Sequence, residues 1–109
     1  MTTTAEASVV TAAGDLDLAV TAQLATLLRR EVRLAPPALV FDASAVTFCS
    51  ARVLTILLET AADSVPFAVA GRCRPLLRPI TALGLDLLLP VHWNAAEAVA
   101  WLKLARQLT

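Results

Sequence analysis

The sequence is poor in the residues that build catalytic, metal and phosphate-binding sites. It contains one histidine, two cysteines and three glycines, and it has no tyrosine. One histidine and two cysteines leave a zinc site a ligand short, and the scattered glycines form no phosphate-binding loop. Ser50 has no neighbouring base to activate its hydroxyl. We therefore predict no catalytic residues, no metal and no cofactor, and a protein that is not an enzyme.

The sequence also lacks a net charge and a long apolar run. Nine Lys and Arg residues balance nine Asp and Glu residues, whereas binding to a phosphate backbone needs a cationic face. The apolar stretch ALGLDLLLPV is interrupted by Asp86 and Pro90, well short of the ~20 residues that cross a bilayer. MTTTAEASVV lacks the features of a signal peptide. We expect a cytoplasmic protein with no nucleic acid partner and no membrane insertion.

What the sequence has is a regular alternation of apolar segments. With 58% hydrophobic residues, the 109-residue chain can bury a core, and we expect a single domain over residues 1–109. Short β-branched or apolar runs alternate with runs of helical periodicity. The predicted strands are residues 7–11, 38–43 continuing to 46–48, 65–70 and 87–91. The predicted helices are residues 20–32, 51–62, 74–83 and 95–108. Such alternation favours an α/β fold with four or so strands in a mostly parallel or mixed sheet and about four helices.

Polar residues at the predicted helix starts indicate caps. We interpret GDLDL, residues 14–18, as a glycine turn, after which Asp17 or Thr21 caps the first helix. Asn94 and Glu97 have the spacing of a capping box for the last helix. In VTFCSARVLTILLE, residues 46–59, a strand passes directly into a helix. We expect Ser50 to be the N-cap of that helix and to accept the N–H of Val53.

The order of these segments resembles the STAS family, whose bacterial members include the anti-sigma factor antagonists. The resemblance is carried by GDLDL, LVFDASAVTF, the strand-to-helix junction, RPLLRPITALGLDLLLPV and the capped last helix. It implies a small α/β domain that regulates transcription by binding a protein, namely an anti-sigma factor that is also a GHKL-type serine kinase. It also implies that phosphorylation at the start of the helix after the central strand ends the binding.

The junction departs from the family's usual sequence motif, which is aspartate, acceptor serine, a small residue, glycine and leucine. Ser50 falls on the aspartate and Ala51 on the acceptor, while Leu54 is kept. Arg52 stands where a small residue is expected. The resemblance implies partner contacts by Asp15, Asp17, Ser50, Ala51, Arg52 and Leu54. Ser50 is a second, shifted candidate for the phospho-acceptor.

Two alternatives remain open from the sequence. STAS proteins also serve as accessory subunits of lipid-transport ABC systems, in which the same helix binds the ATPase subunit. Cys49 and Cys73 are expected to be free thiols, but a redox-responsive disulfide is the other possibility, since a helix start stabilises a thiolate at Cys49.

Overall fold

The computed structural model describes residues 2–3, 7–63 and 65–108, with side chains for residues 7–63, 65–86 and 88–104. No helix in these ranges is long and apolar enough to cross a membrane. The predicted alternation of strands and helices is confirmed. The elements are β1 (Thr2–Thr3), β2 (Ser8–Leu16), α1 (Leu18–Arg33), β3 (Leu39–Cys49), α2 (Ala51–Ala61), β4 (Phe67–Ala70), α3 (Arg74–Ala82), a 3₁₀ turn (Leu85–Leu87), β5 (Val91–His92) and α4 (Ala95–Leu108).

The strands of the described chain form one sheet in the order β1-β2-β3-β4-β5. β1 is antiparallel to β2, and β2 to β5 are parallel. Each connection between two parallel strands contains one α-helix and leads to the adjacent strand, always towards the same side of the sheet. Because such crossovers are right-handed, α1, α2 and α3 lie on one face of the sheet, and α4 covers the other. The predicted fold class, α/β with a mostly parallel sheet, is confirmed.

Alternation along the central strands divides the core into two apolar layers. In β3, Phe41 packs in the layer formed with α1, α2 and α3, whereas Val40 packs in the layer formed with α4. In β4, Val69 lies in the first layer and Ala68 in the second. Burial on both faces explains why these strands are continuously apolar. The helices contribute Leu24, Leu28, Val53, Leu57, Leu76 and Ile80 to the first layer, and Ala98 and Leu102 to the second.

The length of β3 determines where the strand-to-helix junction lies. β4 pairs with β3 only from Leu39 to Asp42, whereas β2 pairs with β3 as far as Cys49. The last part of β3 therefore projects past the end of β4, and β2 is its partner strand there. The start of α2 therefore lies at the edge of the sheet.

The GDLDL stretch is the end of a strand, and the predicted glycine turn is wrong. β2 continues through Gly14 and Asp15 to Leu16, with a register shift between the first two. Gly14 has a φ of +74°, so the glycine accommodates an irregularity in the ladder. Pairing with β3 keeps this segment extended, and α1 begins at Leu18 rather than at residue 20.

The final strand predicted at residues 87–91 is present, but its predicted bounds are wrong. Leu85–Leu87 form a 3₁₀ turn, and β5 contains only Val91 and His92. β5 pairs with β4 only at Val69 and Ala70, although β4 begins at Phe67. The N–H groups of Leu88 and Leu89 instead donate to the carbonyl oxygen of Leu85 at 2.9 and 2.8 Å. Pro90 has no N–H to give to a ladder, so a turn forms despite the apolar pattern of the sequence.

Gly71 lies where the chain leaves β4 and passes close to β3. Its φ is +114°, a conformation that residues with a Cβ rarely adopt. A Cβ at this position would lie 2.7 Å from the backbone nitrogen of Ser44 and 2.9 Å from its Cα. The N–H of Gly71 donates to the carbonyl oxygen of His92 at 2.9 Å. Gly71 thus connects three neighbouring strands at one point.

Gly71→Ala is expected to lower the free energy of unfolding by about 3 kcal/mol, because backbone strain and a backbone clash add together. The matched control is Gly84→Ala. Gly84 has a φ of +66° but open space around its Cα, so strain alone should cost roughly 1 kcal/mol. Urea denaturation measures both variants, and equal losses would contradict the close approach to Ser44.

Candidate functional site

The carboxyl ends of the parallel strands meet at one edge of the sheet, which we call the junction edge. β2 ends there at Leu16, β3 at Cys49, β4 at Ala70 and β5 at His92. The helices that follow these strands begin at the same edge, where open α/β sheets characteristically bind their ligands. Helix N-termini present backbone N–H groups that have no partner within the helix.

At the junction edge, the ends of β2 and β3 lie side by side. Asp15 pairs in register with Phe48, and the N–H of Ser50 donates to the carbonyl oxygen of Leu16 at 3.1 Å. The Thr47 hydroxyl donates to Oδ1 of Asp15 at 2.7 Å. These contacts place the acidic 15–17 segment beside the junction.

Asp17 is the N-cap of α1. Its Oδ1 accepts the N–H groups of Ala19 and Val20 at 3.1 and 3.2 Å. The negative charge also lies at the positive end of the helix dipole, which adds to the stabilisation. Of the two predicted caps, Asp17 and Thr21, the structure selects Asp17; Thr21 instead donates its hydroxyl to the carbonyl oxygen of Leu18 at 2.9 Å.

Ser50 occupies the N-cap position of α2, but its predicted capping bond is wrong. Its hydroxyl accepts no N–H of the helix. The N–H of Val53 donates to the backbone carbonyl oxygen of Ser50 at 3.1 Å. The Ser50 Oγ atom is buried and has no hydrogen-bond partner among the described residues. The hydroxyl is therefore neither a helix cap nor presented to solvent.

The other residues predicted for partner binding differ in exposure. Asp15, Asp17, Ala51 and Arg52 are exposed, whereas Leu54 is partly buried and packs against the larger core layer. Within the described part of the chain, Arg52 forms no ion pair. The structure therefore brings two carboxylates and one uncompensated guanidinium onto the same exposed edge.

Two exposed apolar residues at this edge were missed by the sequence analysis. Leu18, the first residue of α1, is 72% exposed, and Phe48, near the end of β3, is 50% exposed. Leu18 lies outside the predicted helix, so the helical periodicity could not indicate whether its side chain is buried or exposed. Phe48 lies in an apolar strand that predicts burial, but it stands on the part of β3 that projects past β4. Both supply apolar area beside the charged residues.

Comparison with known proteins identifies the architecture. No protein-family model matches the chain, and no curated protein matches it in sequence. Among solved structures, the chain is similar to the crystal structure of an anti-sigma factor antagonist from Mycobacterium paratuberculosis, with a TM-score of 0.82 and 32% sequence identity. The similarity covers 90% of this chain and 86% of that one. This chain belongs to the STAS family of anti-sigma factor antagonists. The resemblance inferred from the order of its segments is confirmed.

The two cysteines of this STAS protein are free thiols. Cys49 is half-buried at the end of β3, and Cys73 is buried at the start of α3. Burial, with a smaller contribution from the charge of Cys73, raises the pKa of the Cys49 thiol from 9.0 to about 11. The predicted thiolate stabilisation at the start of α2 is wrong, because desolvation outweighs the helix dipole. A disulfide between Cys49 and Cys73 stays a hypothesis.

The histidine of this STAS protein lies at the opposite end of the junction edge. His92 is partly buried, its Nδ1 is 3.5 Å from Oε1 of Glu97, and its ring centroid is 5.2 Å from that of Trp101. The described residues include no group of three or more His, Cys, Asp or Glu side chains that could hold a metal ion. His92 therefore connects the end of β5 to α4.

Asp17→Ala is expected to lower the free energy of unfolding by about 1 kcal/mol, because two N–H groups of α1 lose their acceptor. Ser50→Ala, at the equivalent position of α2, is expected to cost nothing measurable, since its hydroxyl makes no bond to lose. Chemical denaturation of the two variants provides the comparison. A loss in Ser50→Ala as large as that in Asp17→Ala would show that Ser50 caps its helix in solution.

Alkylation of Cys49 by iodoacetamide, measured in a Cys73→Ala variant that removes only the smaller cause of the raised pKa, is expected to keep accelerating with pH above pH 9. A thiol with an ordinary pKa levels off near pH 9, and the same variant unfolded in urea is the control that shows this behaviour. Because the pKa of Cys49 is higher in the folded than in the unfolded state, ionisation of the thiol favours unfolding. The contribution of the protonated thiol to the free energy of unfolding is therefore fully present below pH 9 and is lost as the pH approaches 11. A plateau near pH 9 in the folded protein would contradict the burial of the thiol.

Proposed function

We propose that this protein is a regulatory antagonist that binds an anti-sigma factor of the GHKL serine-kinase type through the junction edge. The observation that carries the proposal is the likeness to an anti-sigma factor antagonist over 90% of the chain at 32% identity. The exposure of the junction edge supports it, since a buried edge could not dock on another protein. Binding of the anti-sigma factor would release the sigma factor that it holds.

The composition of the edge supports binding to a protein surface. Protein interfaces combine apolar contacts with a charged periphery. Leu18 and Phe48 offer the apolar area, while Asp15, Asp17 and Arg52 offer charges of both signs. Charges of both signs favour one orientation of the partner, because a rotated partner would place like charges together.

The regulation proposed for this chain differs from the family's phosphorylation switch. Ala51, at the position of the acceptor, has no hydroxyl. The neighbouring hydroxyl of Ser50 is buried, so a kinase could reach it only after the start of α2 moved. We therefore expect binding that ATP does not reverse. Arg52, one residue later, would contact an acidic group of the partner where a phosphoserine would repel it.

The direct test uses purified protein with each GHKL-type anti-sigma kinase of the same genome. We expect a stoichiometric complex by calorimetry, no phosphate on the protein by intact mass after incubation with ATP, and unchanged affinity after that incubation. Ala51→Ser is expected to gain one phosphate and then to dissociate, because it restores the hydroxyl at the exposed position. Arg52→Glu should weaken binding about tenfold or more, with Arg78→Glu on the exposed face of α3 as the matched control.

Three results would count against this proposal. Phosphorylation of the wild-type protein that is lost in Ser50→Ala would show that the switch survives at the shifted position. Binding to none of the kinases, together with binding to the ATPase subunit of a lipid-transport ABC system, would replace the proposed partner. Affinity unaffected by Arg52→Glu would remove the junction edge from the interface.

A further inference from the structure

A stacked pair of side chains occupies the other end of the junction edge, after β4 and β5. The guanidinium carbon of Arg72 lies 3.5 Å from the ring centroid of Trp93. Arg72 is exposed, and Trp93 is 60% exposed even with the guanidinium above its ring. A cation over an indole face is the most favourable cation–π arrangement. The pair is therefore a formed feature of the surface rather than two independent side chains.

Backbone contacts hold both members of the pair in place. The hydrogen bond from Gly71 N–H to the His92 carbonyl oxygen, at 2.9 Å, joins the residues that immediately precede Arg72 and Trp93. The N–H of Trp93 donates to Oε1 of Glu97 at 3.4 Å. This carboxylate belongs to the capping box of α4, in which Glu97 N–H donates to Oδ1 of Asn94 at 2.8 Å. A pair of side chains held in this way loses little conformational freedom when it binds a ligand.

The guanidinium of Arg72 has N–H donors available for a further ligand. No carboxylate in the described part of the chain forms an ion pair with it, and Glu97 is directed to Trp93 N–H and His92. With its carbon 3.5 Å from the ring centroid, the guanidinium keeps available the N–H groups that do not face the ring, and their fork matches a carboxylate in geometry and charge. Arg74, two residues later, is also exposed and adds positive charge.

We propose that the Arg72–Trp93 pair binds a glutamate or aspartate side chain in an acidic segment of the protein partner. This rests on the proposed function, because it extends the same interface from the ends of β2 and β3 to the ends of β4 and β5. A protein segment fits better than a free anion, since the exposed indole offers apolar area that the aliphatic stem of a glutamate covers. Tryptophan and arginine are also the residues that most often dominate protein interfaces.

The test monitors the indole N–H resonance of Trp93 in ¹H–¹⁵N spectra while hexaglutamate peptide is added to the whole protein. The chain has two tryptophans, so Trp93→Phe assigns the resonance by its loss. We expect a saturable shift of the Trp93 signal that weakens with added salt, and none with hexaglutamine. Arg72→Gln should weaken hexaglutamate binding about threefold to fivefold, the size expected for an exposed charge pair. Arg72→Lys should recover only part of it, because lysine keeps the charge and loses the fork.

Arg78→Gln is the matched control, since it removes one exposed arginine of α3 and should leave hexaglutamate binding unchanged. An equal loss in Arg72→Gln and Arg78→Gln would overturn the proposal in favour of general charge attraction. An equal response to inorganic phosphate would show a simple anion site instead of a site for a protein segment. If an anti-sigma kinase binds but hexaglutamate does not, this inference fails and the proposed function stands. If hexaglutamate binds but no kinase forms a complex, the proposed function fails and the acidic-segment site stands.

Discussion

The parallel pairing of β2 with β3 beyond the end of β4 is the constraint on which the arrangement of the surface depends. This ladder keeps the GDLDL segment extended and ends with the hydrogen bond from Ser50 N–H to the Leu16 carbonyl oxygen. Without it, the segment after Gly14 would be free to turn, and α1 would start elsewhere. This ladder of backbone bonds places the two strand ends, and the helices that follow them, side by side.

The two helices that begin at these strand ends are capped differently, and the difference bears on function. α1 is closed by the Asp17 carboxylate, whereas the first N–H groups of α2 receive no side-chain acceptor from Ser50. A helix start without a cap has amide donors and a positive dipole end to offer to another molecule. Because Ala51 and Arg52 are exposed at this point, a partner's acidic group is the complement that the physics favours.

The chemistry of the edge is that of recognition by preformed groups. The Cys49 thiol is desolvated and stays protonated at neutral pH, and the Ser50 hydroxyl is buried. The exposed groups are carboxylates, guanidinium groups and a few apolar side chains on short, well-anchored segments. Gly71 contributes indirectly, since its close approach to Ser44 fixes the loop that positions Arg72. These groups offer complementarity in charge and in apolar area.

Local patterns in the sequence determined the helices, the α/β class, the choice of Asp17 or Thr21 as the cap of α1, and the pairing of Asn94 with Glu97 at the start of α4, because each depends on neighbours along the chain. The sequence order also indicated the STAS family. Tertiary structure decided what depends on a partner from elsewhere in the chain. β3 kept β2 extended through Gly14, β5 paired with β4 over only two residues, and the β2–β3 ladder left Phe48 exposed. The stacking of Arg72 on Trp93 likewise exists only because two separate strands end side by side, a contact that no local pattern encodes.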